Sequence, residues 1–500
     1  MNTTQQLYEN YQSTMRRVAD VKAAGAVLQW DQETYLPPGG AQFRGQQIST
    51  LSELAHQLFS DDAFGDVLLK LATKEDLTPL QKRNVQLTLE DYTKNKKFTS
   101  AFVRTLSEQI NKTFHAWIEA RKQNSFSVYE ADLAGLVHLK KEEAQILGYT
   151  AHPYDALLNE YEKGATVALI DETFSTLLPP LKQLFQKIAA APQVDDTFLL
   201  QHFPAQQQWD WGMHLIKQLH FDFNKGRQDR SEHPFSTSFS PHDVRITTRI
   251  AERDFGNMTW SCIHEVGHAL YEQGLPVEQY GLPLGEACSY SIHESQSRLW
   301  ENNVGRSSAF WKHYYPQLQH QFPDQFGVIP VKIFYKGINK VQPSLVRTEA
   351  DEISYHFHVF IRYQLEKRLI EGRLAVADIP QFWNEQYKTH LDVTVPDDKS
   401  GCLQDVHWSH GSFGYFPTYS LGSFYAAQLF ARAKEELSGL EDDIAAGNTQ
   451  PLLNWLRINI HDKGRYFTSE ELCKKVTGEG LNGNYFLNYA EAKYSAIYNI

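Results

Sequence analysis

The chain has 500 residues, with 48 Lys and Arg against 60 Asp and Glu, a formal net charge of −12. That balance argues against nucleic acid as the main partner, because phosphate binding needs a cationic footprint, and against a polybasic membrane contact. At 42% hydrophobic residues, the chain can bury a large core.

The first seventeen residues are polar from the start, so no secretory signal is expected there. No stretch reaches the roughly 18 apolar residues of a membrane span. The four cysteines, Cys262, Cys288, Cys402 and Cys473, have no CxxC spacing. Reduced thiols in a cytoplasmic protein are the expectation. With no Gly-, Ser- or Pro-rich linker and no fixed repeat, one body over residues 1–500 is expected. Its N-terminal part, to about residue 230, is helical. The part from about 231 carries the motifs.

Leu7, Tyr11, Met15 and Val18 recur at helical spacing, and Pro37-Pro38-Gly39-Gly40 breaks the chain after them. Ile48, Leu51, Leu54, Ala55 and Leu58 form the next apolar stripe. Helices are predicted over Leu80–Tyr92 and Ala101–Lys122, and over residues 167–190 with a break or kink at Pro179-Pro180. Residues 243–250 change rhythm. Val244, Ile246, Thr248 and Ile250 fall on one face, and Asp243, Arg245, Thr247 and Arg249 on the other, which reads as a half-buried strand.

A short loop later comes His264-Glu265-Val266-Gly267-His268. On a helix, i and i+4 share a face, so both imidazoles can reach one cation, as zinc favours. Glu265 follows the first ligand directly and can act as a base without binding the metal. Gly274 and Pro276 mark the helix stop. Gly267 costs about 1 kcal/mol inside a helix relative to Ala, a cost that makes sense if another backbone packs closely there, a tolerated defect being the alternative. A hydrolytic site needs a third protein ligand. The next helical stretch, residues 286–303, offers Glu294, with Glu286 and Glu301 as competitors.

From here the sequence resembles the carboxypeptidase Taq family of metallocarboxypeptidases. The resemblance rests on several elements in order: His233-Pro234-Phe235; Asp243-Val244-Arg245-Ile246-Thr247; His264 to His268; and His293-Glu294-Ser295. Further on come Arg347-Thr348-Glu349-Ala350-Asp351 and Gly401-Cys402-Leu403-Gln404-Asp405-Val406-His407-Trp408. Trp30-Asp31-Gln32-Glu33-Thr34 also fits. The resemblance implies a single, mainly α, two-lobed peptidase domain with a deep central cleft and a small β-sheet near the metal, similar to neurolysin and angiotensin-converting enzyme. It implies His264, His268 and Glu294 as metal ligands, Glu265 as general base, one Zn²⁺ (or Co²⁺ or another divalent ion) per subunit, and a homodimer. The implied activity is release of single C-terminal residues from peptides with broad specificity, refusing a terminal proline.

The remaining motifs have chemical readings. A free C-terminal carboxylate is best met by a planar guanidinium. Arg347 is the candidate clamp, its structural alternative being an i,i+4 pair with Asp351. Arg245 is the runner-up. For the developing oxyanion, Tyr419 with His407 is the preferred pair, and Tyr415 and His410 are rivals. His233 is a candidate pocket residue. Asp243 and Asp405 are candidate partners for the second nitrogen of a ligand His. Two other functions compete: a peptidyl-dipeptidase or oligopeptidase on the same scaffold, and a non-catalytic helical peptide-binding scaffold.

Overall fold

The computed structural model describes residues 3–500. It is mainly helical, with one three-stranded sheet. The chain forms two compact units. One comprises Met1–Lys96, Asp195–Ile338 and Leu429–Gly480; the other comprises Lys97–Val194, Asn339–Gln428 and Leu481–Ile500. The division falls inside the helix Pro417–Glu436. All four cysteines are buried. Among the described residues, no helix is long and apolar enough to cross a membrane.

In the first unit, the helix Thr4–Thr34 starts at a capping box, in which Thr3 accepts the Gln6 N–H and Gln6 reaches back. The predicted stripe Leu7, Tyr11, Met15 and Val18 is buried. Leu7, Tyr8, Tyr11 and Met15 pack with Phe64, Leu68, Leu71, Val85 and Leu282. The Ile48–Leu58 stripe, on the helix Ala41–Phe59, is only partly covered: Ala55 is buried and Leu54 is exposed.

The sheet lies in the same unit: β1 (Gly226–Arg230), β2 (Ser236–Ser240) and β3 (Asp243–Thr248), in the order β1-β3-β2. β1 runs parallel to β3, and β2 antiparallel to it with an irregularity between Ser238 and Ser240. A β-carbon on Gly226 would stand 2.2 Å from the Val244 carbonyl oxygen, so only glycine admits this strand approach. β3 departs from the predicted alternation at Thr247. That residue is fully buried, because its hydroxyl bonds Ser231 and Phe235. The strand ends at Thr248, two residues short of Ile250.

In the second unit, the helix Val167–Ala190 runs unbroken through Pro179-Pro180, so of the expected break or kink the break does not occur. Its apolar face, including Phe174, Leu177, Leu181 and Phe185, is buried. Burial of that continuous face offsets the hydrogen bonds the prolines cannot make.

Candidate metal centre and a buried arginine–aspartate cluster

The helix Phe255–Glu272 starts at Asp254, whose carboxylate accepts the N–H groups of Gly256 and Asn257. It places His264 and His268 one turn apart. The second helix, Tyr290–Arg298, starts at Ser289, whose hydroxyl accepts the Ile292 N–H. It therefore begins four residues later than predicted, and Glu286 lies outside it, paired with Arg465. A β-carbon on Gly267 would lie 2.6 Å from the Ser297 Cα and 2.7 Å from the Gln296 carbonyl oxygen. The two helices thus touch backbone to backbone at Gly267, which accounts for a glycine in mid-helix.

That contact sets Glu294 beside both imidazoles. Glu294 Oε2 is 3.4 Å from His268 Nε2 and 3.7 Å from His264 Nε2. Ligand atoms of His264, His268 and Glu294 all lie within 4.8 Å of one another. Glu294 Oε1 is occupied by Arg298 at 2.7 Å. Burial alone would raise the Glu294 pKa, but Arg298 and the two histidines outweigh it and hold the carboxyl well below its usual range. An ionised carboxylate with two converging imidazole nitrogens is a donor set that fits a divalent cation, leaving a position for substrate chemistry. Burial pushes His268 down to about 4, which keeps its imidazole neutral.

After Arg298 the helix widens into a π-helical segment, Leu299–Gly305, as helices often do at functional sites. This segment carries Glu301, which accepts the Nδ1–H of His264 at 2.9 Å and is held by Arg306 and Arg298. The bond fixes the tautomer, so the His264 Nε2 lone pair faces the ligand cluster. Neither Asp243 nor Asp405 takes this part, because each is already satisfied by arginine. His268 Nδ1 has no partner among the described residues. Its ring instead stacks on His293 at 4.5 Å, and His293 donates to Glu272. Glu265 is buried, which raises its pKa. Its Oε2 accepts the Ser236 hydroxyl at 2.7 Å.

Of the other candidates in this unit, Arg245 makes two 3.0 Å bonds to Asp243 and lies between Trp30 (4.3 Å) and Phe239 (4.9 Å). His233 is exposed, and its carbonyl accepts the Ser231 hydroxyl. The structure does not bring either side chain into the His264–His268–Glu294 group.

The second unit gathers another set. Arg347 sits on a 3-10 turn and is buried. It does not pair with Asp351, whose carboxylate caps Ile353 and Ser354 instead. Arg347 donates to Asp405 Oδ1 through Nη2 (2.8 Å) and Nε (3.0 Å). Arg362, fully buried, donates to Asp405 Oδ2 at 2.6 Å. Gln404 accepts the Arg347 N–H and an Arg362 Nη2–H. Two guanidinium groups therefore share one carboxylate. Arg347 also reaches the Tyr355 hydroxyl and packs over the Tyr419 ring. His407 Nε2 is 3.1 Å from the Tyr419 hydroxyl, and burial with the nearby Arg347 pushes this imidazole down to about 3. Tyr415 packs edge-on against Tyr161 and Tyr419. His410 is exposed and lies over Phe114.

Glu301 and Arg362 carry structural weight that sequence reading did not assign. For Arg362 a signal existed: a lone cation inside the run Phe357–Leu365, where an exposed helix face would carry several charges.

Comparison with known proteins agrees with this geometry. A family model described as carboxypeptidase Taq (M32) metallopeptidase matches residues 10–494. The thermostable carboxypeptidase 1 of Thermus thermophilus is 38% identical over 510 residues, covering 99% of this chain and all of the relative. The solved M32 carboxypeptidase from Deinococcus radiodurans R1 is 37% identical with a TM-score of 0.97, over 99% of this chain and all of that one. A solved protein designated CHT is 57% identical with a TM-score of 0.96, over 98% of this chain and 99% of that one.

Proposed function

This chain belongs to the carboxypeptidase Taq (M32) family of metallopeptidases, and from that membership we propose that it is a zinc-dependent enzyme releasing single residues from the free C-termini of peptides. It is a metallocarboxypeptidase by family. The finer reading is a broad tolerance for apolar and basic terminal residues and refusal of proline. The single observation that carries the metal-dependent peptidase reading is the convergence of His264 Nε2, His268 Nε2 and Glu294 Oε2, with Glu265 next to His264 in the chain.

When bound, the cation supplies Lewis-acid polarisation of the scissile carbonyl and acidifies a water molecule. His264, His268 and Glu294 would hold it. Zinc suits the two imidazoles and one carboxylate best, with cobalt the nearest substitute. Glu265 takes the proton of the attacking water at its carboxylate and passes it to the leaving amine. Burial supports this part, because it raises the pKa and so makes the carboxylate more basic.

Arg347 is assigned to the terminal carboxylate. Two arginines on Asp405 leave one positive charge in excess within that buried cluster, which suits an anionic group. His407 and Tyr419, within hydrogen-bonding distance of each other, are assigned to the oxyanion. Tyr415, His410, His233 and Arg245 are secondary substrate contacts in this reading. A single peptidase domain over residues 1–500, the neurolysin-like architecture, a cytoplasmic location and a homodimer belong to the same proposal, on the strength of the family resemblance.

A defined peptide, digested and followed by mass spectrometry, tests the cut. A ladder of one-residue steps from the C-terminus is expected. Dipeptide steps would favour a peptidyl-dipeptidase, internal fragments an oligopeptidase, and no cleavage with metal bound a binding scaffold.

A further inference from the structure

Two sequence elements outside the His264–His268–Glu294 group, His233-Pro234-Phe235 and the strand β3, meet where Phe235 is bonded to Thr247. Thr247 of β3 is fully buried. Its hydroxyl accepts the Phe235 N–H at 3.0 Å and lies within hydrogen-bonding distance of the Ser231 hydroxyl at 2.7 Å, and its backbone N–H donates to the Phe235 carbonyl at 2.9 Å. Both backbone groups of Phe235 are thus fixed by one residue. The next residue, Ser236, pairs across from Ile246 and opens β2. Its hydroxyl lies 2.7 Å from Glu265 Oε2 and 3.1 Å from the Glu265 carbonyl oxygen. The shorter, charge-assisted contact is the stronger acceptor for its single proton.

The consequence for Glu265 is geometric. A glutamate carboxylate turns about a soft terminal torsion. A bond to one oxygen removes that freedom. A donor to the charged form makes a carboxylate less basic, so Ser236 would serve orientation and not proton affinity.

We propose that Ser236 is a positioning residue for the Glu265 carboxylate, held in place by Ser231, Phe235 and Thr247. The proposal rests on Glu265 being the base. Its role would be to keep one carboxylate oxygen aimed at the proton to be moved, and small misalignments of this kind cost up to about a hundredfold in rate.

The test compares Ser236→Ala, Ser236→Thr, Glu265→Gln and the double variant Ser236→Ala/Glu265→Gln, each metal-loaded, on one defined peptide. Metal content and melting temperature are measured alongside. Ser236→Ala is expected to lose about tenfold to a hundredfold in kcat, with KM and metal content unchanged. Ser236→Thr, which keeps the hydroxyl, should recover most of kcat. The double variant should be no slower than Glu265→Gln alone, because nothing remains to orient. Wild-type kcat in Ser236→Ala, a loss that follows metal content, or the same fold-loss in the Glu265→Gln background would each overturn the role of Ser236. Full activity in Glu265→Gln itself would instead remove the base assignment, and this role with it.

Discussion

The backbone of Ser297 stands so close to Gly267 that a β-carbon there would come within 2.6 Å of its Cα. Both atoms sit on helix backbone, so no side-chain rotation relieves the overlap. The contact fixes the spacing between the helix bearing His264 and His268 and the helix bearing Glu294. Gly267→Ala is therefore expected to force the helices apart, destabilising the protein by at least about 1–3 kcal/mol. It should also weaken metal binding. Denaturant unfolding and metal titration of the same variant check this, and wild-type values in both would refute it.

Glu301 sets the tautomer of His264 without belonging to the ligand cluster. Glu301→Gln keeps the volume but loses the charge. A drop of about 10- to 100-fold in metal affinity is expected, read by competition with a chelator. His264, His268 and Glu294 remain present in this variant, so an unchanged affinity would assign Glu301 to packing alone.

Arg347 is the proposed partner of the terminal carboxylate and Arg245 the runner-up, and peptides with free or amidated C-termini separate them. Arg347→Lys keeps the charge and loses the planar fork. It should erase most of the preference for the free acid, through a fall in kcat/KM of about a hundredfold on that substrate alone. Arg245→Lys should leave the preference intact. The opposite pattern would transfer the clamp to Arg245.

Asp405 is the one carboxylate shared by two buried guanidinium groups. Asp405→Asn leaves both without a counter-charge, and a loss of about 3–5 kcal/mol is expected. The sign with pH follows. Burial works against ionisation of Asp405, yet Arg347 and Arg362 hold its pKa well below the ordinary 3.8. Its contribution is fully present above that ordinary value and is lost as pH falls below it. Unfolding curves from pH 6 downward should therefore show a shallower acid loss in Asp405→Asn than in the wild type.

Much of the site was legible because its chemistry follows helix periodicity. His264 and His268 are four apart, and Glu294 lies on the next helix. The strand at 243–248 announced itself by alternation. Other features lay outside such rules. A 3.6-residue period does not encode the π-helical segment Leu299–Gly305, so Glu301 read as one competitor among three. β1, with the sequence Gly-Arg-Gln-Asp-Arg, has none of the apolar residues that mark strands. Its Asp229 is buried because Arg227 pairs with it. Pro179-Pro180 signalled a break that packing overrode. The Arg347–Asp405–Arg362 cluster joins residues up to 58 positions apart, and no local pattern links them.

Metal stoichiometry in Glu294→Ala, measured by elemental analysis after equilibrium dialysis against micromolar zinc, bears most directly on the centre. One equivalent per chain is expected in the wild type and far less in the variant. A full equivalent retained without the Glu294 carboxylate would contradict the assignment of these three side chains to a single catalytic cation.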